Sequence, residues 1–238
     1  MTTDYSDVER KITGALGDLR PVAVAYLDAL PEGVVKFEGT VPSGCSFWSL
    51  AAKGRSFYTV PSDHFNCPIG SYTHAIDLPP ERAGELERTL ALMTGVGYVR
   101  MEEVPSIPRL PRTPAFTYYA PLASTVVEPD VVIFAGRPSR LMRLLEASAR
   151  AGAASQLPLL GRPTCMALPA AMMHGSVMST GCIGNRVYTD LGDDEFYLMI
   201  PGKRLMEVAE QASVIATAND TLEQYHKQRR QTLGTPQN

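Results

Sequence analysis

Val131-Val-Ile-Phe-Ala-Gly136-Arg-Pro-Ser-Arg-Leu-Met-Arg-Leu-Leu-Glu146 reads as a buried strand, a glycine break and an amphipathic helix. The same order returns at Tyr197-Leu-Met-Ile-Pro-Gly202-Lys-Arg-Leu-Met-Glu-Val208, where Arg-Leu-Met again opens the helix. Two such stretches point to internal duplication or to chance likeness among common residues, and the first would change the expected architecture.

The cysteines extend the parallel. Cys45 stands in Pro42-Ser-Gly-Cys and Cys67 in Asn66-Cys-Pro-Ile-Gly, Cys165 in Arg162-Pro-Thr-Cys and Cys182 in Thr180-Gly-Cys-Ile-Gly-Asn. Cys45 and Cys165 lead into short helical stretches. Cys67 and Cys182 open Ile-Gly turns followed by Tyr72-Thr73 and Tyr188-Thr189. Between the pairs, Pro105, Pro108, Pro111 and Pro114 predict an extended connector on the surface. The expectation is an α+β fold of two lobes related by internal duplication, each a mixed sheet with flanking helices. The N-terminal lobe is 1–104, the connector 105–114, and the C-terminal lobe 115–238 with a disordered tail. One compact domain is the alternative at this length.

Local pattern predicts helices over 6–19, 46–52, 80–93, 139–151, 166–174, 202–212 and 220–230. Strands are predicted over 22–27, 55–60, 98–103, 116–121, 130–135, 186–190 and 195–200, with a loop over 156–163.

The chain has 238 residues, enough to bury a core without disulfide staples. A net charge of −3 argues against a nucleic-acid or anionic-membrane partner. Neither a leader pattern nor an apolar run of membrane-spanning length is present, so a cytoplasmic protein with reduced thiols is expected.

Thiols beside glycine and proline turns suit a metal, a cluster or a reactive sulfur, because backbone N–H groups there reach the sulfur. The alternative is four buried cysteines acting as small hydrophobes. No pair has the close spacing of a structural zinc staple. Long intervals favour a cluster held between lobes, a 4Fe–4S cluster on Cys45, Cys67, Cys165 and Cys182, over zinc. Copper is the third option, since Met166, Met172, Met173, His174 and Met178 crowd the stretch between Cys165 and Cys182. Plastic core packing is the plainer reading of those methionines. His64, in Asp63-His64-Phe-Asn-Cys67, would serve as a base to Cys67 in a thiol enzyme; a solvent-facing loop histidine is the alternative. Trp48 would wall a pocket or pack in the core. G-x-G-x-x-G, Walker, G-x-S-x-G and H-E-x-x-H motifs are absent, which removes the ordinary nucleotide-binding and hydrolase readings.

Together, Cys45-Ser-Phe-Trp, Phe57-Tyr-Thr, Asp63-His-Phe-Asn-Cys67-Pro-Ile-Gly70, Pro163-Thr-Cys165, Gly181-Cys182-Ile-Gly-Asn-Arg186, Asp193-Asp-Glu195 and Ile200-Pro-Gly202 resemble the prokaryotic family catalogued as domain of unknown function 169. The resemblance runs from about Val22 to Ala212. It implies that the cysteine turns are a family hallmark, and it assigns no residue a role.

The leading expectation is a cytoplasmic metal-binding protein whose iron–sulfur cluster serves electron transfer or binds a small ligand at an open edge. Its partners would be a redox protein or a small molecule, not nucleic acid or membrane. The alternatives are a cysteine-dependent enzyme using Cys67 and His64, and a metal-free binder with a Met- and Trp-lined pocket.

Overall fold

The computed structural model describes residues 3–17, 19–154 and 159–233. Its strands are β1 (Arg20–Leu27), β2 (Phe57–Thr59), β3 (Phe116–Pro121), β4 (Val131–Gly136), β5 (Val177–Ser179) and β6 (Phe196–Pro201). They form one sheet in the order β2-β3-β1-β4-β6-β5. Every ladder is antiparallel. Parallel pairing is confined to the isolated bridges Lys36–Tyr58, Ala154–Ser176 and Leu160–Ser179. The class is therefore α+β, and the expected mixed sheet is corrected to an antiparallel one.

Strands from the two sides of the proline-rich segment interleave, since β3 lies between β2 and β1. The connectivity nevertheless repeats. From the centre outward, the first three strands lie as β1-β3-β2 and the last three as β4-β6-β5, with the shortest strand at each edge. Both β3 and β6 begin with Phe, end with Pro and run into 3-10 turns, Leu122–Ser124 and Gly202–Arg204. In this order Val131–Gly136 takes the place of Arg20–Leu27, not that of Phe196–Pro201. The correspondence expected between 131–146 and 197–208 is corrected accordingly. Both are central strands leading into a helix, and that shared setting produced the likeness. A repeated strand order is what is seen; a duplicated backbone is not shown.

Side chains alternate between two apolar layers. Ala23, Val132, Phe134, Leu198 and Ile200 pack toward α1 (Tyr5–Leu16), α5 (Pro138–Arg150) and α8 (Leu205–Leu233). Val22, Val24, Ile133, Tyr197 and Met199 pack toward α2 (Cys45–Ala52) and α6 (Ala167–His174). A sheet covered on both faces needs apolar residues on both, which explains the unbroken run at 131–135.

The α1 helix starts where the Asp4 carboxylate accepts N–H bonds from Ser6 (3.0 Å) and Asp7 (3.3 Å). It buries Val8, Ile12 and Leu16, four residues apart, and stops at Gly17, whose φ is 87°. Three shorter helices, α3 (Pro68–Thr73), α4 (Glu85–Gly95) and α7 (Ile183–Thr189), complete the set used below.

Several predicted elements change. The stretch 186–190, rich in strand formers, lies mostly in α7, because the Cys182 sulfur caps that helix through the Asn185 N–H. The predicted strand at 98–103 overlaps the 3-10 turn Met101–Ser106, where the Glu103 carboxylate accepts from Arg100 Nε at 2.8 Å. The helices predicted at 202–212 and 220–230 are one helix, since 213–219 holds no Gly or Pro and Ala216 continues its buried stripe. Asp18, the loop residues 156–158 and the tail 234–238 lie outside the described residues. Among the described residues no helix is long and apolar enough to cross a membrane.

Candidate functional site

All four cysteine turns become helix starts. Cys45 is the first residue of α2, and Cys67 and Cys182 occupy the N-cap positions of α3 and α7. Cys165 lies in the 3-10 turn Thr164–Met166 that runs into α6. The α2 helix packs on α7, and α3 on the Cys165 turn. Each contact thus joins a turn before the prolines to one after them. Ser46 Oγ donates to the Tyr188 carbonyl at 3.4 Å, and the Cys182 N–H donates to Thr164 Oγ1.

All four thiols are free, and all four line one cavity of about 310 Å³. Its wall includes Thr89, Leu90 and Met93 of α4, then Tyr98, Val99 and Ile107. Arg162 is the one charged residue lining it among the described residues.

Burial raises the Cys45 thiol well above its ordinary value, helped by neighbouring Cys165 and Cys67 and opposed by the Asn185 amide. Burial likewise raises Cys67, against the backbone N–H groups of Gly44 and Gly70. Cys165 is raised by burial and by Cys67, against the Thr73 hydroxyl. The Cys182 sulfur accepts the Asn185 N–H at 3.4 Å. Backbone N–H groups therefore lie beside the Cys67 and Cys182 sulfurs, while the Cys165 thiol donates to the Ile69 carbonyl at 3.9 Å. A Cβ at position 70 would sit 2.8 Å from the Cys67 sulfur, so a larger residue there would push that sulfur aside. Among the described residues no group of three or more His, Cys, Asp or Glu is arranged to hold a single metal ion.

Asn185 is the residue that sequence reasoning missed. It is 2% exposed, and its amide lies beside the Cys45 sulfur and the Tyr197 hydroxyl without making a well-formed hydrogen bond among the described residues. Its burial follows from the helical form of α7, which the local pattern reads as strand. Gly181, at φ 73°, leaves room for it: a Cβ there would lie 2.9 Å from Asn185 Oδ1.

His64 is not a solvent-facing loop residue. Its Nε2 bonds Thr59 Oγ1 at 2.8 Å, and its ring packs against Phe47 and His74. No hydrogen bond joins that ring to the Cys67 sulfur among the described residues. His74 is buried beside it, with Nδ1 donating to the Gly70 carbonyl (2.9 Å) and Nε2 accepting from the Tyr26 hydroxyl (3.1 Å). Burial, reinforced by His74, lowers His64 from 6.5 to about 3, and burial lowers His74 to about 4. Below 6.5 the unfolded chain binds protons that these folded histidines refuse. Their contribution is complete above pH 6.5 and is lost as the pH falls toward those lowered values. The slope approaches about 1.4 kcal/mol per pH unit for each histidine. Urea midpoints should fall steadily over that interval, and a flat profile would remove the histidines as its cause.

The methionine-rich stretch does not converge on the cavity. Met166 is in the core, Met173 and His174 are exposed, and Met93 is the methionine in the lining. Trp48 packs edge-on against Tyr197 and lines a separate cavity of about 60 Å³.

The family model described as Uncharacterised ArCR, DUF169, matches residues 17–211, a span that holds all six strands and all four cysteine turns. An uncharacterised protein of Methanocaldococcus jannaschii, MJ0308, is 26% identical over 77% of this chain and 81% of that protein. No solved structure matches. Motifs and match agree: the chain belongs to the DUF169 family.

Proposed function

We propose that the cavity holds an iron–sulfur cluster on Cys45, Cys67, Cys165 and Cys182, used for electron transfer or for binding a small ligand at an open cluster edge. The observation that carries this reading is the convergence of four thiols from four separate turns on one cavity. Backbone N–H groups beside Cys67 and Cys182 suit thiolates, which such donors stabilise and tune on a cluster. The long sequence intervals between the four cysteines favour a cluster over zinc, which usually staples a short loop. A cluster spreads its ligands to roughly 6–7 Å from one another. The raised thiols would each release a proton on ligation, so loading couples to pH and to folding. The reading requires a reducing compartment such as the cytoplasm.

Anaerobic purification followed by iron and acid-labile sulfide analysis tests it. Brown protein with broad visible absorbance is expected. Protein that stays colourless and iron-free after reconstitution with ferrous iron and sulfide would sink it. Fast alkylation of Cys67 in such a preparation would favour the thiol enzyme instead.

Asn185 gives a second test. An unsatisfied buried amide costs about 1–3 kcal/mol, a cost with a purpose if the amide donates to a ligated Cys45. Asn185→Leu should therefore raise the melting temperature of the metal-free protein while lowering cluster retention. A fall in metal-free stability would show that the amide is already satisfied.

A further inference from the structure

We propose that the part of the cavity walled by α4 binds a small organic anion with an apolar body, its charged group paired with the Arg162 guanidinium. This site goes beyond the cluster reading and does not depend on it.

The α4 helix supplies the first argument. A short helix on a protein surface is normally held by burying an apolar stripe. None of the residues of α4 is buried, although Leu90 and Met93 are turned into the cavity with Thr89. Ile69, Val99 and Ile107 continue the same apolar lining. An occupant with an apolar body would complete the burial that the fold leaves unfinished. The whole cavity, about 310 Å³, lies at the lower end of the roughly 300–1,000 Å³ of small-molecule clefts; a cluster on the thiols would take part of it, so the ligand is a small one.

Charge selects the other end of the ligand. Arg162 is the one charged group in the lining among the described residues, and the carboxylate beside it, Glu103, lies outside that lining. The Tyr98 ring holds the guanidinium in place at 5.2 Å. Its ion pair with Glu103 is loose, at 3.5 Å, because Glu103 is engaged at 2.8 Å by Arg100. A ligand carboxylate meeting the guanidinium fork side-on would make the stronger, paired contact.

Isotope-labelled full-length protein titrated with pentanoate, octanoate, benzoate and phenylacetate, and with pentanamide and benzamide, tests the proposal by NMR. At least one carboxylate should shift the amides of Thr89, Leu90, Met93 and Val99. It should bind at least tenfold more tightly than its neutral amide, about 1.4 kcal/mol. Arg162→Gln should abolish that preference and leave amide binding unchanged. The proposal is overturned if acid and amide bind equally. It is also overturned if Arg162→Gln keeps the preference, or if no carboxylate at millimolar concentration moves the α4 resonances. Iron and sulfide assays on the same samples report on the cluster separately, so either idea can fail alone.

Discussion

Cys182→Ser protein, prepared anaerobically beside the wild type, is expected to lack bound iron and visible absorbance while remaining folded. The substitution separates the observed role of this sulfur from the role the cluster proposal gives it. As N-cap of α7, Cys182 accepts the Asn185 N–H at 3.4 Å. Serine is among the best N-cap residues, so its hydroxyl keeps that helix start, and the metal-free proteins should differ by no more than about 1 kcal/mol. As a cluster ligand, serine is a poor replacement for a thiolate. Cluster binding is also folding free energy, so loaded wild type should melt well above the variant. Equal iron content and equal spectra in the two proteins would remove Cys182 from the site.

Gly202→Ala is expected to abolish the fold. A Cβ at Gly202 would overlap the Pro129 carbonyl oxygen and lie 2.6 Å from its carbon. That backbone has no room to yield. The Gly202 N–H donates to the Asp130 carbonyl at 2.8 Å, and the Asp130 N–H to the Val24 carbonyl at 2.9 Å. The Asp130 carboxylate accepts the Tyr26 N–H at 2.7 Å. These bonds tie the approach to the central strands, so relief would have to break the sheet. A cost above about 4–5 kcal/mol is expected, against a total stability of roughly 5–15 kcal/mol. Soluble yield and circular dichroism would show it. Gly14→Ala is the control of opposite sign: its Cβ would meet nothing within 4 Å in α1, and it should stabilise by about 1 kcal/mol. A well-folded Gly202→Ala protein would mean that the β6–β4 corner is looser than drawn.

What the sequence made legible was local. The strand and helix at 131–146 fall where pattern places them, and Cys45 and Cys165 lead into helices as read, whereas the Ile-Gly turns after Cys67 and Cys182 prove helical as well. Sheet order was not legible, because β3 enters between β1 and β2 through pairings that leave no mark on either segment's own pattern. The 186–190 stretch misled for the same reason. Val187, Tyr188 and Thr189 favour strands in isolation, but the Cys182 cap and packing against α2 hold them helical. The burial of His64 and His74 could not be read either, since their partners Thr59 and Tyr26 come from strands. Asn185 stood in a motif already singled out, yet its unpaired amide becomes visible only in three dimensions.

The central position of β1 has a consequence for synthesis. β1 pairs on one side with β3 and on the other with β4, both far along the chain. A ribosome releases Cys45 and Cys67 before any strand exists to hold Arg20–Leu27 in a sheet, and long-range pairing of this kind is slow to close. At ordinary translation speeds, Cys67 waits on the order of ten seconds for Cys182 to be made. During that interval the first two thiols lack their partners and stand open to oxidants and stray metal ions. The second half of the nascent chain supplies both the missing strands and the missing thiols, so a cluster on all four cysteines would have to be inserted after translation of Cys182.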